Sequence, residues 1–325
     1  MWRLPDARYL LYYFDAYASS QQLQKEFSYS NTQIEDELKH KGFRIIPDSK
    51  SNYSYTNFSM GSTLNMNYIN NVDTVNKTTD REYLQAVKLV SKSNLVSFLQ
   101  KENYSIFNHS IFDIDSFPTT IKGIDFWNIR KSFDQYNLAF KLIRDIGYHF
   151  LNPANNFIHN DDFYVSHSTN QVRFDSTVYQ HLLQSIKFKS IQPKFVYAHF
   201  LKTHLPYFFD SLGQEFTNPN MTYHERYVHQ IAYANNLIKK ITDSILVYTQ
   251  RPSIIIIQGD HGICFDGPVN PQHVFPNFNA IYFSNKDYRL LNDSTSSVNT
   301  FRIVLNTFFR KDLKLLPYQS YFLRN

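Results

Sequence analysis

The chain has 325 residues, 42% of them hydrophobic and 19% charged, which is long enough for a large core and too apolar for a disordered segment. Its 33 basic and 28 acidic side chains leave a net charge of +5 with no dense Lys/Arg run, which argues against a nucleic-acid footprint. The single cysteine, Cys264, excludes an intramolecular disulfide and a Cys-based zinc cluster, and no apolar run reaches the ~20 residues of a membrane span.

Residues 9–14 are a short aromatic run that stops at Asp15, the pattern of a strand with a carboxylate at its tip. Thr32-Gln33-Ile34-Glu35 has capping-box spacing and Gly42 follows the amphipathic stretch, so a helix is predicted between them. Residues 43–46 read as a second strand, and a hydroxyl-rich segment over 49–63 comes next. Residues 80–102 and 127–148 carry apolar positions at spacings of three and four and predict one helix each. The signals over 103–126 and 150–175 are mixed and place no element. Residues 194–200 predict a strand that closes on His199 and His204. A long helical pattern over 223–249 runs through Val228, Ile231, Ala232, Leu237, Ile241 and Ile245 and is separated from the next strand by Pro252.

That next strand is four consecutive isoleucines, Ile254 to Ile257, with no polar alternation, the signature of a strand buried on both faces. It stops at Gly259-Asp260-His261-Gly262. Residues 280–283 give one more strand and 298–309 a last helix. Strands alternating with helices predict an α/β fold, a central, mostly parallel sheet with helices on both faces. With neither an internal repeat nor a linker, residues 1–325 read as one domain.

Four segments place chemistry at strand ends or loops: Asp15; Thr56; His199 with His204; and Asp260 and His261 with His273. In open α/β sheets, ligands bind outside the carboxyl ends of the strands. A carboxylate and an imidazole side by side at such an end suit a divalent metal such as zinc. The glycines on either side allow a sharp turn and a close approach to a ligand. Each residue taken singly has a plainer role open to it. Asp15 could cap a helix, Thr56 could be a loop hydroxyl, His199 a satisfied core histidine, and His273 an ordinary loop residue beside Pro271 and Pro276.

Taken together, the segments resemble the alkaline phosphatase/sulfatase superfamily, in particular its sulfatase-like and phosphoethanolamine-transferase branches. Tyr12-Tyr13-Phe14-Asp15-Ala16-Tyr17 is similar to that family's first strand and metal-binding acid. Tyr55-Thr56-Asn57-Phe58-Ser59 resembles its nucleophile segment, where the threonine opens a helix. His199 followed five residues later by His204, with Pro206 after it, resembles a histidine-bearing strand end. Gly259-Asp260-His261-Gly262 is similar to the metal-binding Asp-His pair, and His273 lies thirteen residues after Asp260, where transferases of the group place a further histidine. Asn299-Thr300-Phe301-Arg302 is like a stretch near the C-terminal end of sulfatase-like members.

The resemblance implies an alkaline-phosphatase-like three-layer sandwich. It implies a divalent metal held by Asp15, Thr56, Asp260 and His261, zinc first, with manganese, magnesium or calcium as alternatives. It implies Thr56 as nucleophile. His199, His204 and His273 would hold a second metal or grip the substrate, with His204 and His273 placed to protonate the leaving group. The substrate it implies is a phosphorylated lipid or glycan, with transfer of a phosphoethanolamine- or phosphoglycerol-type group, or its hydrolysis. The location it implies is the periplasm or the extracytoplasmic face of a bacterial membrane. Arg3-Leu4-Pro5-Asp6 would sit where relatives hand over from a membrane tether. One departure narrows the chemistry: formylglycine sulfatases need a Cys or Ser followed two residues later by Pro and then by Arg, and Thr56-Asn57-Phe58-Ser59 lacks this. The competing expectation is a catalytically inactive sulfatase-like domain that binds a glycan or an anionic ligand. A dinucleotide binder is set aside because no Gly-x-Gly-x-x-Gly fingerprint is present.

Overall fold

A computed structural model of the chain describes residues 8–121, 160–205, 207–218, 220–249, 251–263 and 271–324. The helix expected over 127–148, Pro206, Cys264 and the Arg3-Leu4-Pro5-Asp6 segment lie outside the described residues. Six strands among the described residues share one sheet: β1 (Arg8–Phe14), β2 (Arg44–Ile45), β3 (Ser105–His109), β4 (Lys194–Phe200), β5 (Ser253–Gly259) and β6 (Asn279–Phe283). Their order is β2-β6-β5-β1-β4-β3. β3, β4, β1 and β5 are mutually parallel, and β6 and β2 run antiparallel at one edge. This is the mostly parallel α/β sheet that the alternation of elements predicts.

Every residue of β4 and β5 is buried, as an unbroken isoleucine run requires of a strand covered on both faces. The side chains of β1 show what covers each face. On one face the Tyr12 hydroxyl lies 3.2 Å from Thr242 Oγ1 of the long helix Tyr223–Tyr248. On the other, the Tyr13 hydroxyl donates to Gln258 Oε1 at 3.1 Å, and the Gln258 amide donates to Ser297 Oγ at 2.9 Å. Ser297 opens the 3-10 turn Ser297–Asn299 that leads into the helix Thr300–Phe309. Successive strand residues point to opposite faces, so helices pack on both.

In chain order the helices are α1 (Ser20–Phe27), α2 (Thr32–His40), α3 (Thr56–Asn65), α4 (Asp80–Ser91), α5 (Asn94–Lys101), α6 (Asn160–Lys187), α7 (Tyr223–Tyr248), the short α8 (Pro271–Val274) and α9 (Thr300–Phe309). Several depart from expectation. The helix expected over 80–102 is two. Thr79 and Glu82 form a capping box that starts α4, and Ser93 Oγ accepts from Val96 N at 3.2 Å to start α5. Apolar spacing runs through such a break without registering it, whereas the capping hydroxyls mark it. Thr32 does not cap α2: Asn31 holds that position with no side-chain cap bond, and Thr32 is already helical. The strand expected over 43–46 shortens to two residues at the sheet edge. The last helix begins as a 3-10 turn.

The register of the parallel strands builds the site. Phe14 lies opposite both Phe200 and Gly259, so β1, β4 and β5 end level with one another. The residues that follow them, Asp15, Leu201 to His204, and Asp260 with His261, therefore emerge side by side. Gly259 and Gly262 serve this junction in a way different from that expected. Neither takes a positive φ, so the bend over 260–262 does not draw on glycine's left-handed freedom. A Cβ at Gly259 would stand 2.3 Å from the Tyr17 carbonyl oxygen, and one at Gly262 2.5 Å from that of His273 and 2.6 Å from that of Pro276. The two glycines let neighbouring backbone, not a ligand, pack directly on the strand end. Gly259→Ala is expected to cost about 1–3 kcal/mol through overpacking against a carbonyl that already accepts from Phe278 N. A fall in the urea midpoint at unchanged m-value would show it, and an unchanged midpoint would refute it.

Candidate metal centre

Asp15 begins the turn after β1. That turn is held by several bonds: Asp15 N donates to Phe200 O at 2.9 Å, the Tyr227 hydroxyl donates to Ala16 O at 2.8 Å, and the Thr203 hydroxyl donates to Asp15 O. They over-determine Ala16, whose φ of 56° is uncommon for a residue with a side chain. Asp15 caps no helix. Ser19 does that for α1, accepting from Gln22 N at 3.2 Å.

Asp260 Oδ1 accepts from Ala16 N at 3.0 Å and from His261 N at 2.8 Å. These two bonds orient the carboxylate and turn Oδ2 inward. His261 Nδ1 lies 2.8 Å from the Gly262 carbonyl, so Nδ1 carries the proton and Nε2 presents its lone pair. That Nε2 lies 3.5 Å from Asp15 Oδ1, 3.5 Å from Asp260 Oδ2 and 3.3 Å from Thr56 Oγ1. Thr56 is the first residue of α3, and its hydroxyl also faces Asp15 Oδ2 at 3.5 Å. The Ser59 hydroxyl, one turn on, donates to the Asp260 carbonyl at 2.5 Å and pins the start of α3 to the end of β5.

His199 is 0% exposed. Its register opposite Tyr13 puts it on the Gln258 face of the sheet, with Nδ1 3.3 Å from the Tyr197 hydroxyl and Nε2 3.6 Å from Asp15 Oδ2. It is not a satisfied core histidine, because Nε2 has no hydrogen-bond partner. Asp15 Oδ1 and Asp260 Oδ2 are likewise buried without partners. Ligand atoms of Asp15, His199 and Asp260 all lie within 4.8 Å of one another. The sequence expectation set His199 apart from Asp15, Thr56, Asp260 and His261; the structure brings all five together.

Burial pushes both carboxyls up. In Asp15 this is outweighed by His204, His199 and His261, which hold it far below the usual carboxylate range. Asp260 stays raised, by burial and by the Asp15 charge. Two buried carboxylates and an imidazole with inward, unpartnered donor atoms are costly unless a cation compensates them. The all-O/N donor set suits a divalent metal such as zinc, so these residues fit one.

The remaining histidines are placed differently. His204 is half-buried and its Nδ1 bonds to the Leu205 carbonyl. His273, in α8, keeps its backbone beside the Asp-His turn, its carbonyl accepting from Ile263 N at 3.1 Å and Gln22 Nε2 at 2.8 Å. Its Nε2 lies 3.5 Å from Glu26 Oε1. Glu26, at the end of α1, was not singled out in the sequence, where nothing connects it to a residue so distant along the chain.

The sulfatase family model matches residues 21–303. Among solved structures, the C-terminal periplasmic domain of EptC from Escherichia coli, in complex with Zn, superposes with a TM-score of 0.54 at 12% identity, covering 98% of this chain and 84% of that one. The integral membrane lipooligosaccharide phosphoethanolamine transferase EptA from Neisseria meningitidis gives a TM-score of 0.54 at 13% identity, covering 93% of this chain and 55% of that one. A protein of the alkaline phosphatase superfamily from Vibrio parahaemolyticus gives 0.56 at 12% identity, covering 96% and 72%. At these identities the likeness is one of fold. Among curated protein sequences none matches the chain.

Proposed function

The chain belongs to the sulfatase family, within the alkaline phosphatase superfamily, and from that premise we propose that it is a metal-dependent hydrolase or transferase of phosphate esters that works through a covalent intermediate on Thr56. The observation that carries this reading is the convergence of Asp15, Thr56, His199, Asp260 and His261, from the ends of three strands and the start of one helix, around three buried donor atoms with no hydrogen-bond partner. We propose that Asp15, Asp260 and His261 hold a divalent cation with Thr56 and His199 beside them. Zinc suits these donors best; manganese, magnesium and calcium are the alternatives. When bound, the cation supplies positive charge that lowers the pKa of a nearby hydroxyl and neutralises the oxygens of a tetrahedral ester.

The side chains divide the remaining work. Thr56 Oγ1, its proton lost to solvent, attacks the phosphorus, the bond from phosphorus to the leaving alcohol breaks, and His204 gives that alcohol its proton. His273 is the second candidate for the proton and for gripping the ester oxygens. The first turn of α3 points the positive end of its peptide dipoles at the anionic group. Water or an acceptor alcohol then attacks the phospho-threonine and releases Thr56, which separates hydrolase from transferase only by the second nucleophile. Formylglycine chemistry has no candidate residue at Thr56, and Cys264 stands outside the required pattern.

The substrate class we propose is a phosphorylated lipid or glycan bearing a phosphoethanolamine- or phosphoglycerol-type group, handled at an extracytoplasmic surface by residues 1–325 as one catalytic unit. The periplasmic EptC domain and the lipooligosaccharide transferase EptA support this through shared fold. No helix among the described residues is long and apolar enough to cross a membrane. The test is chemical capture. Zinc-loaded protein quenched in acid during turnover of a phosphodiester is expected to carry the phosphoryl group on the peptide containing Thr56, read by mass spectrometry. Release of the leaving group from an enzyme that never labels there would overturn the covalent route.

A further inference from the structure

A second buried charge pair lies behind the site. Asp175, from α6, is 1% exposed and Lys202, two residues beyond β4, is 5% exposed. Lys202 Nζ lies 3.7 Å from Asp175 Oδ2. The ammonium also sits over two rings, 4.9 Å from the centroid of Phe209 and 4.7 Å from that of Tyr233 on α7. Enclosed in this way, it does not reach a substrate. Asp175 Oδ1 accepts from Leu201 N at 2.8 Å. The Gln230 amide, in the orientation that satisfies both its ends, donates to the Lys202 carbonyl at 2.9 Å and accepts from Phe208 N and Phe209 N.

These contacts fall on one short stretch. Leu201 is tied to α6, Lys202 to α6 and α7, and Thr203 to the Asp15 carbonyl. His204 N then closes the turn on the Leu201 carbonyl at 3.0 Å. Three consecutive residues are anchored to three different elements immediately before His204. An apolar pair of similar volume is often as stable as a buried ion pair or more so. What an apolar pair would lack is the acceptor for Leu201 N and the directional hold on Lys202.

We propose that Asp175 and Lys202 are positioning residues that fix the 201–205 turn and so hold His204 in place next to Thr203, which is bonded to the Asp15 carbonyl. The proposal rests on the Thr56 reading only where turnover is measured. The test compares zinc-loaded Asp175→Ala, Asp175→Ala/Lys202→Met and Asp175→Asn/Lys202→Met. Histidine side-chain resonances are read with 15N-labelled protein, alongside turnover of bis(p-nitrophenyl) phosphate. The two double variants both remove the charges and differ in whether Leu201 N keeps an acceptor. Both alanine variants are expected to shift the His204 resonances while His261 holds, and to lower kcat about tenfold or more with KM little changed. The asparagine double variant, which keeps the acceptor for Leu201 N and lacks the lysine, is expected to restore both in part, and full restoration would overturn the role of Lys202.

A purely stabilising pair would give a lower Tm with wild-type His204 resonances and wild-type kcat per folded molecule, and that result overturns the proposal. So does a loss of kcat with His204 unmoved. If Asp175→Ala does not fold, Asp175→Ala/Lys202→Met, which strands no buried charge, carries the same expectation. If the wild-type protein turns over no ester, the Thr56 reading falls and the His204 resonances still decide the clamp.

Discussion

Thr56→Ala is expected to abolish turnover of phosphate esters, by about a thousandfold or more, while leaving fold and metal content near wild type. The geometry makes the experiment clean. Thr56 is half-buried at the first position of α3, and the partners of its hydroxyl, Asp15 Oδ2 and His261 Nε2, both belong to the site. The start of the helix is anchored by Ser59 through the Asp260 carbonyl, and alanine is a better helix former than threonine. Nothing structural therefore depends on the hydroxyl. Thr56→Ser keeps an oxygen at the same place and is expected to retain part of the rate. Activity of Thr56→Ala within about tenfold of wild type would remove Thr56 from its role.

That role was visible in the sequence only through a resemblance, and the reason is physical. α3 buries Asn57 through Leu64 on all sides, so its serines, threonines and apolar residues form no stripe and no period marks it as a helix. β5 was legible for the opposite reason, since a strand covered on both faces needs an unbroken apolar run and four isoleucines supply it. β3 was missed because it is five residues long and only its last two are buried. The segment 150–175 gave mixed signals and contains the start of α6, which carries Asp175. Candidate site residues could be named one by one because strand ends carry chemistry in α/β folds. What no reading of spacing could supply is the state of their atoms. That His199 Nε2 faces Asp15 Oδ2 and lacks a hydrogen-bond partner is visible only once β4 is paired in register with β1 and the side chains are placed.

Asp260→Asn is expected to strip the metal while sparing the scaffold. Oδ1 of Asp260 is the acceptor for Ala16 N and His261 N, and an asparagine carbonyl oxygen replaces it in both bonds, so the turn that presents Asp15 is kept. Oδ2, buried without a hydrogen-bond partner, becomes an NH₂ group, a donor aimed at the place where a cation would need an acceptor. The variant thus loses a charge and a ligand together and is expected to bind zinc about a hundredfold more weakly or worse, with turnover falling in step. The metal-free form should move the other way. Burial and the Asp15 charge both make ionised Asp260 costly, so neutralising Asp260 is expected to leave the Tm of the chelated protein unchanged or higher. Zinc added to wild type should raise Tm by preferential binding to the folded state, and zinc added to Asp260→Asn should not. Elemental analysis and paired melts with and without zinc separate these outcomes. Unchanged zinc stoichiometry in the variant would show that the cation sits elsewhere, and a lower Tm in the chelated variant would show that Asp260 is structural first.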